Sequence, residues 1–122
     1  MTNADELNFE KLGGLIPAVI SDSETNQVLM LGFMNKEALI KTIETKRVTF
    51  FSRTRNTLWT KGETSGNFLN LVDIKKDCDN DSLLVFTHPV GPTCHLGTYS
   101  CFGVERTQIA FLNQLSELIK ER

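Results

Sequence analysis

The chain has 122 residues, long enough for one domain with a modest core. Apolar residues make up 40% and charged residues 23%, an ordinary globular composition, and the apolar runs are too short to span a bilayer. A net charge of −2 argues against a nucleic-acid partner, because such binders carry a basic surplus. The first eleven residues hold Asp5, Glu6 and Glu10 without the basic start and apolar run of an export signal, so a cytoplasmic protein is expected.

In chain order, Leu15 to Asp22 reads as a strand, Asp22 to Asn26 as a turn, and Gln27 to Phe33 as a second strand closing a hairpin. Asn35 is a good N-cap for one short helix ending near Lys46. Arg47 to Ser52 is β-branched and aromatic and returns to strand. Asn56 to Gly66 is polar, holds two glycines and the only tryptophan, and reads as a loop. Phe68 to Ile74 and Ser82 to His88 read as strands on either side of an acidic segment, and Pro89 to Gly103 has too many breakers for a regular element. From Thr107 to Lys120, Ile109, Leu112, Leu115, Leu118 and Ile119 form one apolar stripe, the pattern of a second, amphipathic helix. The expected fold is α+β and mostly β: a small strand-rich single domain with two helices and two long loops that suit function.

Charge is unevenly distributed. Lys46, Arg47, Arg53, Arg55 and Lys61 occur with no acid among them, while Asp77, Asp79 and Asp81 occur with no base. A small phosphorylated ligand plus a metal suits that division, and two solvated surface segments are the alternative. If Asp77-Cys78-Asp79-Asn80-Asp81 is extended, its three carboxylates share one face and Cys78 points to the other. Carboxylates that close favour a hard cation such as magnesium or calcium, or else form a solvated acidic turn. An EF-hand is excluded, because Ser82 and His88 stand where its loop needs glycine and glutamate.

The cysteines are Cys78, Cys94 and Cys101, an odd count that makes a disulfide framework a poor account. Three thiols with an open fourth position is the pattern of catalytic zinc, and three buried thiols are the alternative. His95, beside Cys94, is a candidate ligand or general base, whereas His88 reads as a surface residue. Trp59-Thr60-Lys61-Gly62-Glu63-Thr64-Ser65-Gly66 combines a cation, hydroxyls and glycines that let backbone approach an anion, although it is not a Walker A loop. Arg53 and Arg55, just upstream, offer guanidiniums suited to phosphate, and an ordinary surface loop is the competing reading.

Taken jointly, Phe51-Ser52-Arg53-Thr54-Arg55, the Leu58 to Gly66 loop, Asp77 to Asp81, Gly91-Pro92-Thr93-Cys94-His95 and Ser100-Cys101-Phe102 closely resemble the phosphoribosyl-AMP cyclohydrolase family of histidine biosynthesis. Gly14 to Ala18 and Leu29 to Met34 resemble it too, so the likeness spans roughly residues 9 to 103. The resemblance implies hydrolytic opening of the N1–C6 bond in the adenine ring of N1-(5-phosphoribosyl)-AMP. It implies zinc on Cys78, Cys94 and Cys101, magnesium on Asp77, Asp79 and Asp81, and an intertwined homodimer whose thiolates come from both subunits. Arg53, Arg55, Trp59, Lys61, Gly62, Glu63, Thr64, Ser65 and Gly66 then bind the substrate, and His95 relays the proton. Asn67 stands where many relatives carry histidine, so any role of that side chain is filled otherwise here. Some relatives continue into a pyrophosphohydrolase domain, and the chain is expected to be either a stand-alone enzyme or the first half of such a protein. A zinc-dependent nucleotide deaminase and a non-catalytic zinc-stapled dimer module are the rival readings. The first lacks its H-x-E and P-C-x-x-C signature, and the second leaves the Trp59 to Gly66 loop unexplained.

Overall fold

Ile16, Ala18 and Ile20 are buried while Pro17 and Val19 are half-buried, the two-residue period of a strand with one face on a core. This strand, β1 (Ile16–Asp22), is central in the computed structural model, which describes residues 1–107. β2 (Val28–Met34) pairs with it antiparallel through the expected turn, in a register that sets Ala18 opposite Gly32. On the other side of β1 lies β6 (Leu83–Pro89), parallel to it, and beyond that β5 (Leu69–Lys76), antiparallel to β6. The order across this mixed sheet is β2-β1-β6-β5.

The helix begins where its cap is written. The Asn35 side chain accepts the Ala38 N–H at 2.8 Å, α1 runs Lys36–Thr45, and Lys46 ends it in the left-handed region at φ 62°. Thr42 is fully buried inside α1; its hydroxyl donates back to the Ala38 carbonyl at 2.9 Å and accepts the Thr49 N–H at 2.9 Å. That bond fixes the helix against β3 (Thr49–Ser52). The core lies between the sheet and this α1–β3 cover, where Ile16, Ile20, Leu29, Met34, Leu39, Val48, Phe50, Leu69 and Val85 are all nearly or fully inaccessible. Gly32 permits the packing: a Cβ there would sit 2.5 Å from two ring carbons of Phe50.

Two expectations are corrected. Asn56 to Gly66 is not all loop, because Thr57–Thr60 forms β4 and pairs antiparallel with β3, setting Trp59 opposite Phe50 with ring centroids 5.2 Å apart. Thr-Leu-Trp-Thr has the branched and aromatic side chains that suit a pleated surface, and β3 supplies the partner. Asp77 to Asp81 is not extended but a turn, with Asn80 at φ 60°. Asp77 Oδ1 accepts the Asp81 N–H at 3.0 Å and the Ser82 N–H at 3.3 Å, which closes the turn on its first residue.

Two short 3-10 turns, Ala4–Glu6 and Glu10–Leu12, precede β1, and α1 is the one α-helix among the described residues. The amphipathic stripe from Thr107 to Lys120 lies outside the described residues, apart from Thr107 itself. Among the described residues no helix is long and apolar enough to cross a membrane. On the sheet face away from α1, Val19 stands between Leu31 and Leu84, which are 50% and 39% exposed.

Candidate active site

A cleft of about 620 Å³ opens between the β3–β4 hairpin with its following loop and the segment after β6. The first wall carries Arg55, Trp59, Lys61, Gly62, Glu63, Thr64 and Ser65, and the facing wall carries Pro92, Thr93, Cys94 and His95. The anion-type loop and the Cys-His pair, 28 or more residues apart in sequence, thus face one another. The loop is closed on itself: the Gly66 N–H donates to the Gly62 carbonyl at 2.7 Å, and the Thr60 N–H donates to Glu63 Oε2 at 3.3 Å. Gly62, at φ +94°, is required there, since a Cβ would meet the backbone of Asn67 and Phe68 at 2.5 to 2.7 Å. Trp59 is half-buried against Phe50 and presents an apolar surface to the cleft. Arg53 is not on the cleft wall; its guanidinium lies 4.2 Å above the Phe33 ring. Gly66 closes the loop without lining the cleft.

The cysteine wall is held by short-range bonds. Cys94 N–H donates to the Thr98 carbonyl at 3.1 Å and Gly97 N–H to the Cys94 carbonyl at 2.9 Å, a tight reversal. Cys101 N–H donates to the Leu29 carbonyl at 2.7 Å and the Ser100 hydroxyl to the Val28 carbonyl at 2.9 Å, fastening the segment to β2. Cys94 is buried and Cys101 exposed. The Leu96 backbone N–H, the Thr98 hydroxyl and the neighbouring Cys101 thiol all favour the Cys94 thiolate and lower its pKa, against burial. Although Cys101 as a whole is exposed, partial desolvation of its thiol raises its pKa, and the nearby Cys94 adds to the rise. The pair therefore has one thiol prepared to ionise beside one that resists sharing negative charge. That is a soft donor set whose two charges a thiophilic cation would reconcile. Asp22, Thr25 and Tyr99 form the support beneath: the Tyr99 hydroxyl donates to Asp22 Oδ2 at 2.6 Å and lies 3.0 Å from the Thr25 hydroxyl.

The acidic turn presents a different donor set. Asp77, Asp79 and Asp81 bring carboxylate oxygens within 4.8 Å of one another, the kind of oxygen cluster that hard cations use. The Asp81 backbone N–H and the Ser82 hydroxyl hold the Asp77 carboxyl well below the usual carboxylate range. Cys78 is exposed in the same turn, its thiol 3.8 Å from Asp79 Oδ1, so it does not point away from the aspartates as an extended segment would require. Lys11 closes the cluster, with its ammonium 2.5 Å from Asp81 Oδ2.

These two donor sets do not meet within one chain. The acidic turn enters β6 at Leu83 and the cysteine segment leaves it at Pro89, so seven residues of strand separate them, roughly 20 Å. Cys78 accordingly sits with the aspartates, while Cys94 and His95 sit on the cleft. His88 is exposed and pairs with Glu24 at 3.4 Å, as a surface histidine. Residues beyond the expected set also shape the cleft. Asn67 and Thr93 line it, and Tyr99 and Asp22 brace its cysteine wall from contacts 77 residues apart, which no local pattern reveals.

The sequence pattern of the family described as phosphoribosyl-AMP cyclohydrolase matches residues 30–103. The chain is 59% identical over 118 residues to the histidine biosynthesis bifunctional protein HisIE of Bacteroides thetaiotaomicron, covering 96% of this chain and 58% of that relative. It is 60% identical over 117 residues to the protein of that name in Escherichia coli K12, with the same two coverages, and 55% identical over 122 residues to that of Vibrio vulnificus, covering 98% of this chain and 58% of the relative. The chain thus spans somewhat more than half the length of these relatives.

Proposed function

The chain belongs to the phosphoribosyl-AMP cyclohydrolase family, and from that premise we propose that it hydrolyses the N1–C6 bond of the adenine ring in N1-(5-phosphoribosyl)-AMP, a step of histidine biosynthesis. The observation that carries this reading is the cleft itself, where a phosphate-type loop and a Cys-His segment face each other across a space of nucleotide size.

Arg55, Lys61, Thr64 and Ser65 offer charge and hydroxyl donors to the phosphates, with Gly62 and Gly66 shaping the loop that presents them. Arg53 rests on the Phe33 ring off the cleft wall, so a contact with the substrate would require it to leave that ring. Trp59 offers its face to the purine, and Glu63 lines the same wall, accepting the Thr60 N–H. The substrate's C6 is electron-poor because N1 carries the second ribose, so water adds there. The C6–N1 bond then opens, leaving a carboxamide that keeps the exocyclic nitrogen. His95, exposed on the cleft wall, relays the water's proton to N1 as that nitrogen departs.

Cys94 and Cys101 are the thiol donors beside this cleft and, with Cys78, are the ligands for zinc. Zinc bound there supplies the Lewis acidity that brings the pKa of a water toward about 7. Asp77, Asp79 and Asp81 are the ligands for magnesium. Because Cys78 and the aspartates lie at the far end of β6 from Cys94, the complete site takes them from a second copy, and the protein acts as an intertwined homodimer. The exposed Leu31 and Leu84, flanking the half-buried Val19, give such a dimer apolar surface to bury. The described residues act as one cyclohydrolase domain, and a soluble nucleotide as substrate suits the cytoplasm.

Metal analysis combined with an absorbance assay on phosphoribosyl-AMP tests the reading. Expected are about one zinc per chain, ring opening that a chelator abolishes, and loss of both in Cys94→Ala and Cys101→Ala. Full turnover in a zinc-free Cys94→Ala protein would end it.

A further inference from the structure

Asn67 is held by contacts that leave its amide unspent. Its backbone N–H donates to the Ser65 hydroxyl at 3.2 Å, and its peptide lies so close to Gly62 that a Cβ on that glycine would come within 2.6 to 2.7 Å of it. Its side chain rests on Gly91, where a Cβ would stand 2.5 Å from Oδ1 and 3.1 Å from Cγ. The Val90 N–H donates to the Phe68 carbonyl at 3.0 Å and ties the two supporting segments together. Gly62 thus makes room for the Asn67 peptide and Gly91 for its side chain, which is half-buried on the cleft wall and whose amide makes no hydrogen bond among the described residues. A positioned polar group with unused bonding capacity in a cleft is prepared for a ligand.

The chemistry of the substrate selects what it meets. Alkylation at N1 removes that atom from recognition, and C6 must stay open to water. The remaining purine edge pairs an N6 donor with the N7 acceptor, and a carboxamide is complementary to that pair in two parallel bonds. We propose that Asn67 reads the N6/N7 edge of the purine and thereby orients C6 toward the Cys94–His95 wall, acting as a specificity-determining residue. This rests on the cyclohydrolase reading above.

The test is a two-by-two comparison of kcat/KM for wild type and Asn67→Ala, each on N1-phosphoribosyl-AMP and on its 7-deaza analogue, which lacks the N7 acceptor. Asn67→Leu, close in volume but without hydrogen bonds, replaces Asn67→Ala if that variant does not fold. Wild type is expected to lose about 10- to 100-fold on the 7-deaza analogue, and the variant to lose a similar factor on the natural substrate. The variant is then nearly indifferent to the missing N7, with zinc content unchanged. An equal 7-deaza penalty in wild type and variant would overturn the assignment. Absence of any wild-type turnover on the natural substrate would instead overturn the cyclohydrolase reading, so the two failures are distinct.

Discussion

The Tyr99 hydroxyl donates a 2.6 Å hydrogen bond to Oδ2 of Asp22, a carboxylate whose side chain is 1% exposed. This bond joins the cysteine segment to the end of β1, and Arg106 reaches the same oxygen at 3.4 Å and Glu24 at 2.9 Å. Burial, reinforced by the Asp22 carboxylate, pushes the Tyr99 pKa up to about 12 from its ordinary 10. Between those values the unfolded chain loses a proton that the folded chain keeps, so unfolding gains and stability falls as pH rises from about 10 to about 12. Tyr99→Phe is expected to cost about 1–2 kcal/mol at neutral pH, where the hydrogen bond to a charged acceptor is lost. It should also flatten that part of the alkaline decline in denaturant melts taken from pH 9 to 12. An unchanged alkaline slope in the variant would mean that Tyr99 is not the titrating group.

Gly32 and Phe50 make a second prediction, about how the α1–β3 cover seats on the sheet. A methyl at Gly32 would lie 2.5 Å from Phe50 Cδ1 and Cε1, and Phe50 is 1% exposed, with no open side to move toward. Gly32→Ala therefore forces the ring and β3 outward, at a cost of about 1–3 kcal/mol. The β3–β4 hairpin carries one wall of the cleft, so the Michaelis constant should rise as the melting temperature drops. A melt that coincides with wild type would show that the ring accommodates the methyl without displacing the hairpin.

What sequence reasoning could reach follows the range of the interactions involved. The α1 boundaries were legible because Asn35 and Ala38 are three residues apart and the cap is a local bond. β4 was not, since Thr57–Thr60 is only four residues between turn formers and is a strand only because β3 pairs with it. The acidic turn shows a right set of neighbours reached through a wrong backbone. The three carboxylates do converge, but by closure on Asp77 with Asn80 in the left-handed region rather than by alternation along a strand. Lys11 with Asp81, and Tyr99 with Asp22, are joined across 70 and 77 positions, and periodicity carries no information at that range. The loop from Trp59 to Gly66 and the Cys94–His95 pair were each weak alone; the cleft brings them together, which neither local composition implies.

Lys11 supplies a third prediction. Its ammonium lies against Asp81, and the Asp81 carboxylate raises its pKa, with Asp79 and Asp77 adding to the rise. A divalent ion drawn to the three carboxylates must compete with this tethered cation. Lys11→Met is expected to tighten magnesium binding about two- to fivefold, the scale of an exposed ion pair, as measured by titration calorimetry on the zinc-loaded protein. Asp79→Asn should weaken the same binding. If neither substitution changes the magnesium isotherm, the ion does not bind at this turn.

The separation of Cys78 from Cys94 leads to the last prediction. If each zinc site takes Cys78 from one subunit and Cys94 and Cys101 from the other, Cys78→Ala and Cys94→Ala are each inactive as homodimers. In a mixed dimer the two lesions fall together in one site and leave the second intact. Unfolding and refolding an equal mixture should make half of the dimers mixed, each with one working site, restoring about a quarter of wild-type activity. Zinc content should recover in the same proportion, which separates restored sites from a trace of revertant enzyme. A site built within one chain predicts none of this, because every subunit in the mixture carries a broken ligand set. Zero recovery, with mixed dimers verified by differential tagging, would therefore place Cys78 and Cys94 of each site on one chain. Cys78 would then have to travel the length of β6, which the β5–β6 pairing from Leu69–Pro89 to Lys76–Leu83 opposes.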